Sequence, residues 1–376
     1  MRPVRRAGAP DTALVGASAG TDAEHSRVLV HGAHRLPSVD IDSYSLELTD
    51  AEGFTGDQAN KSAFVRILDD VRKLSRQAGE DPLGSKPSAE ISRKKLAGLL
   101  EKGDPHEAAV VLSAIEDFAQ QLQSVIRVFL KQKSWQGTEC IVVGGGLSGS
   151  RVGELAIARA NIILKAEGVA TDLQLLHECP DEAGLIGAAH LLPRWMLEGY
   201  EALLAADIGG TNIRAGLVEL NLEKADDLSR ARVLKFEDWC HREKDDVKRD
   251  EAVERLLKML NELLDAGKKA NLRLAPIIGL GCPGVIREDG SIERGAHNLP
   301  GNWESSRFNL PQLVRERISH IGKHETVVIM HNDAVIQGLS ELPRLRDRAH
   351  WGVLTIGTGL GNARFSMRRS RKEQER

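Results

Sequence analysis

Two aspartates and two glycine turns carry the residue types that could perform chemistry in this sequence. Asp207 ends the apolar run 203–206 and is followed by the turn GGT at 209–211, and Asp333 ends a second apolar run in VVIMHND. A carboxylate at the end of a buried strand is costly unless it has a partner, and a hydrated metal ion is one such partner. The amides of the turn could hold phosphate oxygens. On this turn alone, a β-hairpin with an aspartate in its turn is an equal alternative.

The stretch VLTIGTGLGNARF at 353–365 repeats the pattern of LLAADIGGTNIRAGL at 203–217, namely apolar strand, glycine turn with threonine, and return strand. Two such hairpins predict two similar domains that each offer a glycine turn to one ligand. Asp333 is then a candidate for the base that takes a proton from an attacking hydroxyl. The structural alternative for Asp333 is a helix N-cap.

A third glycine turn supports a competing function. Gly144-x-Gly146-x-x-Gly149 follows an apolar strand and precedes a helix, as the dinucleotide-binding fingerprint requires, and Glu178 ends the next strand, farther along than the usual acidic position. A nicotinamide or flavin oxidoreductase is therefore an alternative, although it leaves the other turns unexplained. No GxxxxGK[ST] pattern occurs in the sequence, which excludes a P-loop.

Strands alternate with helices along the chain, and this order favours an α/β class. The segment 236–249 is highly charged, and we expect it to be solvated. The periodicity predicts strands at 26–32, 41–48, 140–143, 173–176, 203–207, 276–280, 327–330 and 351–356, with helices at 61–76, 91–100, 105–131, 152–167, 182–195, 251–266 and 310–318.

Composition limits the classes of partner. The 376 residues carry a net charge of −3, which gives no reason to expect nucleic acid or an acidic membrane surface. Four cysteines lie far apart without a CxxC pair, so no zinc site is predicted and a reducing cytoplasm is expected. No apolar run is long enough to span a bilayer. Residues 1–25 are predicted to be a disordered tail, and 367–376 a charged one.

Six stretches together resemble the ROK (repressor, open reading frame, kinase) family of sugar kinases and regulators. They cover roughly residues 91–365. The resemblance implies an actin-like, hexokinase-like two-domain ATPase fold with two ribonuclease-H-like domains. The stretches are DIGGTNIRAGL at 207–217, GLGCPGVIREDGSIERGAHNLPGNW at 279–303, NDA at 332–334, IGTGLGNARF at 356–365, EKGDPHEAAVVLSAIEDFAQQLQSVIRVFL at 101–130 with IVVGGGLS at 141–148, and DEAGLIGAA at 181–189.

The resemblance also implies an activity, namely ATP-dependent phosphorylation of a hexose with Mg2+. It makes Asp333 the general base and gives Asp207 a magnesium ion to orient through water. It implies that Asn298 and Asn332 form hydrogen bonds with sugar hydroxyls. The alternative for Asn298 and Trp303 is packing of the loop around Pro300. It further implies that ATP is bound by Gly209, Gly210, Thr211, Gly357, Thr358, Gly359, Gly144, Gly145 and Gly146.

The order of the motifs departs from that family, because GGG precedes DIGGTN in this chain. The chain resembles a circularly permuted member, with a nucleotide-side domain of 26–195 plus 350–366 and a phosphate- and sugar-side domain of 200–345. If so, the strand at 353–356 must pair within the sheet that contains 141–143. We also expect the end of the 365 strand to lead toward 26–30 on that domain's surface.

A second departure concerns the sugar site. The family's Glu-x-x-Gly-His or Glu-x-Gly-His clamp is absent, and the corresponding region near 26–60 offers only His31, His34 and Asp40. No basic helix-turn-helix is evident in 1–60, so a DNA-binding repressor is rejected. Three hypotheses remain: a hexose kinase, which is favoured; a sugar- or nucleotide-binding protein of the same fold without catalysis; and the oxidoreductase. A homodimer is compatible with the favoured prediction.

Overall fold

The computed structural model describes residues 30–50, 53–244 and 246–368. The helices and the strands of two five-stranded sheets are, in chain order, β1 (Val39–Tyr44), α1 (Lys61–Ala78), α2 (Arg93–Lys102), α3 (Pro105–Leu130), β2 (Cys140–Gly144), α4 (Arg151–Ala166), β3 (Asp172–Leu175), α5 (Pro180–Ala188), β4 (Ala202–Ile208), β5 (Asn212–Glu219), β6 (Arg232–Cys240), α6 (Arg249–Lys269), β7 (Leu274–Cys282), α7 (Leu310–Arg317), β8 (Val327–Asn332), α8 (Asp333–Leu339), β9 (His350–Ile356) and β10 (Leu360–Met367).

Short hairpins supplement these elements. They pair Thr49–Asp50 with Gly53–Phe54, Val285–Ile286 with Ile292–Arg294, and His320–Ile321 with His324–Glu325. The predicted strand at 26–32 falls mostly outside the described residues, and 30–32 are not in a strand. The tail predicted for 1–25 lies outside them entirely. Of the tail predicted for 367–376, Met367 is instead the last residue of β10, and 369–376 lie outside the described residues.

The central sheet is formed by the middle of the chain, with the order β6-β5-β4-β7-β8. Strands β4, β5 and β6 pair antiparallel, and β4, β7 and β8 pair parallel. Every residue of β4 is buried because both faces of this strand are covered, which explains its unbroken apolar run ahead of Asp207.

The terminal sheet combines strands from both ends of the chain, with the order β1-β10-β9-β2-β3. Strands β9, β10 and β1 pair antiparallel, and β9, β2 and β3 pair parallel. Both sheets therefore share one pattern, a meander of three antiparallel strands extended by two parallel strands. This shared pattern is that of two ribonuclease-H-like sheets, and it confirms the predicted actin-like fold class.

The pairing predicted for the C-terminal strand is confirmed. Val353 lies opposite Val142 in the parallel β9–β2 pair, and β10 returns beside β9. The third strand is β1, in which Ile41 lies opposite Phe365, so it starts and ends earlier than the predicted 41–48 strand. The hairpin β9–β10 thus completes a sheet whose other three strands come from the first half of the chain.

Helices α5 and α8 lie between the two sheets and fix the region where the candidate aspartates occur. One buried core contains Leu185 of α5, Ile336 of α8, Leu203 of the central sheet and Val353 of the terminal sheet. The helices cross closely: a Cβ on Gly187 would lie 1.8 Å from the backbone oxygen of Ile336. No helix in the described part of the chain is long and apolar enough to cross a membrane.

One local prediction was wrong, and one strand was not predicted. The helix predicted for 182–195 ends at Ala188 and continues as short 3-10 turns, because Pro193 disfavours helical backbone before it and lacks an N–H. The described residues of the charged segment 236–249 are exposed or half-buried apart from His241, as expected, but residues 236–240 are the end of β6, a strand that the periodicity did not predict. As the edge strand of the central sheet, β6 carries charged residues along its length, and this hides its strand pattern.

The capping signal at the start of α3 is confirmed. The Asp104 carboxylate accepts hydrogen bonds from the amides of His106 and Glu107, at 2.7 and 3.0 Å, and the Glu107 side chain bonds back to the Asp104 amide. Pro105 occupies the first helical position. This capping box fixes the start of a 26-residue helix that packs beside α4.

Candidate active site

A cleft of about 370 Å3 lies between the two sheets and receives both glycine hairpins. The predicted site residues that line it are Asp207, Gly209, Gly210, Thr211, Asn298, Asn332, Asp333, Gly357, Thr358, Gly359, Gly145 and Gly146. Gly144 is the exception: it ends β2 and faces the Leu176 and Gln337 side chains instead. The structure therefore brings together in one cleft predicted residues from five separate sequence segments.

The two glycine hairpins touch at the centre of the cleft. The hydroxyl oxygens of Thr211 and Thr358 lie 2.9 Å apart, within hydrogen-bond distance. A Cβ on Gly210 would lie 3.4 Å from the Thr358 Cβ and 3.0 Å from the Asn298 Cβ, so a side chain there would require these neighbours to shift. The contact joins the central and terminal sheets at the position where one ligand could meet both turns.

The first glycine hairpin does not use positive φ. Neither Gly209 nor Gly210 is among the glycines with positive φ. The turn is held instead by hydrogen bonds: the Gly209 amide donates to the Asn212 oxygen at 2.8 Å, and Arg242 Nε donates to the Gly210 oxygen at 3.0 Å. Glycine at 210 allows the close approach of Asn298 and Thr358, and its backbone conformation does not demand glycine.

The third glycine turn does require glycine for its backbone. Gly145 has φ of 83°, and a Cβ there would lie 2.6 Å from the backbone of Ile356. The turn therefore packs against β9, directly before the Gly357–Gly359 hairpin. The surrounding sheet contains three antiparallel strands, unlike the mostly parallel sheet of a dinucleotide-binding domain, which argues against the oxidoreductase alternative.

Asp207 is enclosed by glycines. Its side chain is 3% exposed, a Cβ on Gly184 would lie 2.8 Å from its carboxyl carbon, and a Cβ on Gly281 would lie 3.1 Å from its Oδ1. Burial raises the pKa of this carboxyl to about 6, against the opposing effect of Arg214. Its Oδ1 has no hydrogen-bond partner among the described residues. A buried carboxylate with an unpartnered oxygen fits the binding of a hydrated magnesium ion.

Asp333 begins α8 but does not cap it. The cap is Asn332, whose Oδ1 accepts hydrogen bonds from the amides of Ala334 and Val335 at 3.0 and 3.2 Å, while its Nδ2 donates to the Gly284 oxygen at 3.0 Å. Burial first, and the neighbouring Asp207 charge second, raise the pKa of Asp333 to about 7. Asp333 thus lines the cleft with a pKa raised toward neutrality.

The sugar-binding predictions divide into three outcomes. Asn298 lines the cleft between the two hairpins, with its Nδ2 3.4 Å from where a Cβ on Gly359 would be. Trp303 is a packing residue: it is 1% exposed, and its indole N–H donates to the Pro300 oxygen at 2.8 Å. Asn332 lines the cleft, but its Oδ1 accepts from the helix cap and one Nδ2 hydrogen is donated to the Gly284 oxygen, so one amide hydrogen remains for a ligand.

The histidines near the N-terminal side do not form a sugar clamp. His31 Nδ1 accepts from the Met330 amide, and His34 Nδ1 lies 2.8 Å from the Ile41 oxygen. Neither of them, nor Asp40, lines the cleft. The segment 45–48, which includes Glu47, lines the cleft instead. Asn362 of β10 fixes the Leu46 backbone, because it accepts a hydrogen bond from the Leu46 N–H at 2.9 Å and donates one to the Leu46 oxygen at 3.1 Å.

Sequence analysis did not identify several polar residues of the cleft. All but His297, which lies in the 279–303 stretch, come from outside the quoted stretches, and only the folded chain brings them to the site. They are Glu47, Asp57, Lys61, Arg93, His297 and Gln337. Among the residues that the structure describes, no group of three histidine, cysteine, aspartate or glutamate side chains is arranged to hold a metal. All four cysteines are free thiols.

Comparisons with known proteins support the resemblance to sugar kinases. No protein-family model matches the sequence. The chain is 29% identical over 161 residues to the glucokinase of Thermotoga maritima, a match that covers 42% of this chain and 43% of that protein. The chain therefore aligns with less than half the length of this curated relative. The predicted resemblance to sugar kinases is confirmed by this match.

Solved structures match only in part. A Listeria monocytogenes protein provisionally described as an N-acetylmannosamine kinase is 23% identical over 45% of this chain and 50% of its own, with a TM-score of 0.33. The ROK hexokinase from Thermus thermophilus is 22% identical over 45% and 49%, with a TM-score of 0.29. The fold assignment rests on the strand order of the two sheets.

Proposed function

We propose that the protein is a sugar kinase that transfers the terminal phosphoryl group of ATP to a hexose, with Asp333 as the general base. The observation that carries this proposal is the position of Asp333. Its carboxylate lies in the same cleft as the contact between Thr211 and Thr358, where the two glycine hairpins meet. Phosphoryl transfer depends mainly on positioning and electrostatics, and this cleft supplies both.

The environment of Asp333 suits a base. Its Oδ1 accepts a hydrogen bond from the Ala334 amide at 2.9 Å, which orients the carboxylate at the start of α8. A pKa near 7 makes the group a better proton acceptor than an ordinary aspartate at neutral pH. The sugar hydroxyl loses its proton late, as the new P–O bond forms, so Asp333 need only accept that proton in place.

Asp207 is the residue that we assign to the metal. Its unpartnered Oδ1 would accept a hydrogen bond from a water of hydrated Mg2+. When bound, the ion would neutralise charge on the transferred phosphoryl group. The residues assigned to the phosphates are Gly209, Gly210, Thr211, Gly357, Thr358 and Gly359, and Gly145 and Gly146 are assigned to the nucleoside.

We assign the sugar to the part of the cleft that Asn298 and Asp333 line. Glu47 and His297 line the same cleft and offer a carboxylate and an imidazole for sugar hydroxyls. A Cβ on Gly295 would lie 3.7 Å from Glu47 Oε1 and 3.5 Å from Ser45 Oγ, so the segment 45–47 meets the loop that carries His297. This contact supports a sugar site assembled from both domains.

The domain division of 26–195 plus 350–366 and 200–345, and a permuted order relative to the sugar kinases, are part of the proposal. The interleaving of the terminal sheet supports both, because β9 and β10 complete a sheet begun by β1, β2 and β3. A match confined to 161 residues of the glucokinase is also what a changed motif order would produce.

The second candidate is a binding protein of the same fold that does not turn over ATP. The observation that favours it is the orientation of His31 and His34, which bond backbone groups away from the cleft. A panel of hexoses incubated with ATP and Mg2+, with ADP release measured for each, separates the two. Sugar-dependent ADP release supports the kinase. Saturable sugar binding by calorimetry without ADP release supports the second candidate.

A further inference from the structure

Two polar side chains that the proposed mechanism does not use flank the Gly144–Gly146 turn. A Cβ on Gly144 would lie 3.4 Å from Gln337 Oε1, and a Cβ on Gly146 would lie 3.1 Å from Arg93 Nη1. Both side chains line the cleft. The turn therefore has an amide on one side and a guanidinium on the other.

Gln337 has an unmet hydrogen-bonding requirement. The residue is 8% exposed, and its Oε1 has no hydrogen-bond partner among the described residues. It lies on α8, one turn after Asp333, so its side chain is carried by the same helix that positions the proposed base. A buried acceptor without a partner is costly. Oε1 is closed to solvent beside Gly144, and a ligand in the cleft can supply the missing donor once the side chain rotates toward it.

Arg93 is the complementary group. It is exposed to the cleft and begins α2, where Ser92 caps the helix. Within the described residues, no carboxylate lies in ion-pair distance of its guanidinium, although most other arginines of the chain are so paired. An unpaired guanidinium that borders a glycine turn is suited to a phosphate group.

We propose that Arg93 and Gln337 are nucleotide-binding residues. With the nucleoside at Gly145 and Gly146, Arg93 donates to oxygens of the phosphate attached to that nucleoside, and Gln337 accepts a hydrogen bond from its ribose hydroxyl. This inference rests on the proposed function, since it takes a nucleotide as the ligand of the cleft. The donor and acceptor pattern decides the roles. Phosphate oxygens at neutral pH accept hydrogen bonds and cannot satisfy Gln337 Oε1, whereas a ribose hydroxyl can donate.

The test is calorimetric titration of the full chain with ADP, adenosine, 2′-deoxy-ADP and 3′-deoxy-ADP. R93Q should lower the affinity for ADP about 10- to 100-fold, because a charge-assisted hydrogen bond to phosphate is lost. Its affinity for adenosine should stay nearly unchanged. R93K should retain part of the affinity. Q337L should lower the affinities for both ADP and adenosine about 2- to 10-fold, because one neutral hydrogen bond is lost.

Deoxynucleotides identify the ribose contact. The wild-type chain should bind one of the two deoxy-ADP isomers about 2- to 10-fold more weakly than ADP, and Q337L should bind that isomer and ADP equally. Matched controls are K94Q, which removes the neighbouring exposed charge on α2, and Q123L. Gln123 is another buried glutamine whose Oε1 has no partner among the described residues, and it does not line the cleft. Both controls should bind ADP as the wild type does.

The outcomes are distinguishable. If R93Q and Q337L bind ADP as tightly as the wild type, the roles of these residues are refuted and the kinase proposal stands. If R93Q loses affinity for adenosine and for ADP equally, the proposed contact of Arg93 with phosphate is also refuted. If the wild type binds no ADP, both this inference and the proposed function fail. Thermal unfolding of each variant shows whether a lost affinity reflects a lost fold.

Discussion

Replacement of Asp333 by asparagine should raise stability and abolish turnover. The folded structure raises the pKa of this carboxyl from 3.8 to about 7, chiefly through burial and then through Asp207. The folded state therefore favours the neutral acid, and the ionised acid is destabilising at higher pH. This cost is absent below pH 3.8, grows as the pH rises, and is complete above about 7.

The magnitude follows from the shift. A difference of roughly three pKa units corresponds to about 4 kcal/mol of unfolding free energy at pH 8. The carboxylate borders the cleft, where water relieves part of this cost, so we expect D333N to gain about 2 kcal/mol at pH 8. Asparagine keeps an oxygen that can accept the Ala334 amide hydrogen bond, so no new unpartnered donor is created.

Urea unfolding at pH 8 and pH 5 measures this gain, which should be smaller at pH 5. The control is D265N on the exposed face of α6, which should change the unfolding free energy by less than about 0.5 kcal/mol. Turnover of D333N should fall by ~100- to ~10,000-fold while sugar binding stays nearly intact. A variant that is less stable than wild type at pH 8, or that keeps more than roughly a tenth of the turnover, would refute the reasoning.

Three further predictions concern pH, the hairpin contact and the terminal sheet. The pH profile of kcat/KM should lose activity as the pH falls through about 7, since Asp333 must be ionised to accept a proton, and a flat profile from pH 5 to 8 contradicts this role. G210V should weaken the binding of ADP more than the binding of sugar, because its Cβ would lie 3.0 Å from the Asn298 Cβ and disturb the contact of the two hairpins. Calorimetry that shows an equal loss of affinity for both ligands indicates misfolding instead. Deletion of 350–376 should cause aggregation, measurable by light scattering, because β9 lies at the centre of the terminal sheet and its loss exposes an edge of β2; a monodisperse, folded product would contradict this.

The fold was predictable where a strand is consistently buried or where neighbouring residues cap a helix. The apolar run before Asp207 and the capping box at Asp104 identified β4 and the start of α3, because strand burial and cap chemistry act over a few neighbouring residues. Strand β6 escaped prediction because an edge strand has no consistently buried face. The end of α5 was misplaced because the helix terminates before Pro193 rather than at the end of the apolar pattern.

The site was predictable to the extent that its residues lie in glycine turns or at strand ends. All the predicted residues except Gly144 line the cleft. Glu47, Arg93 and Gln337 could not be found, because each lies in a segment of ordinary composition and reaches the cleft through tertiary contacts. Glu47, for example, depends on the two hydrogen bonds between Asn362 and the Leu46 backbone, which connect positions 316 residues apart.

The most direct test of the proposed kinase is detection of the phosphorylated sugar itself. The purified chain is incubated with ATP, Mg2+ and each of a set of hexoses, and the products are analysed by mass spectrometry beside a reaction with D333N. Wild type should convert at least one hexose to its monophosphate with an equal amount of ADP, and D333N should form almost none. If no hexose gains a phosphoryl group, or if D333N forms the product as fast as wild type, phosphoryl transfer by Asp333 is contradicted.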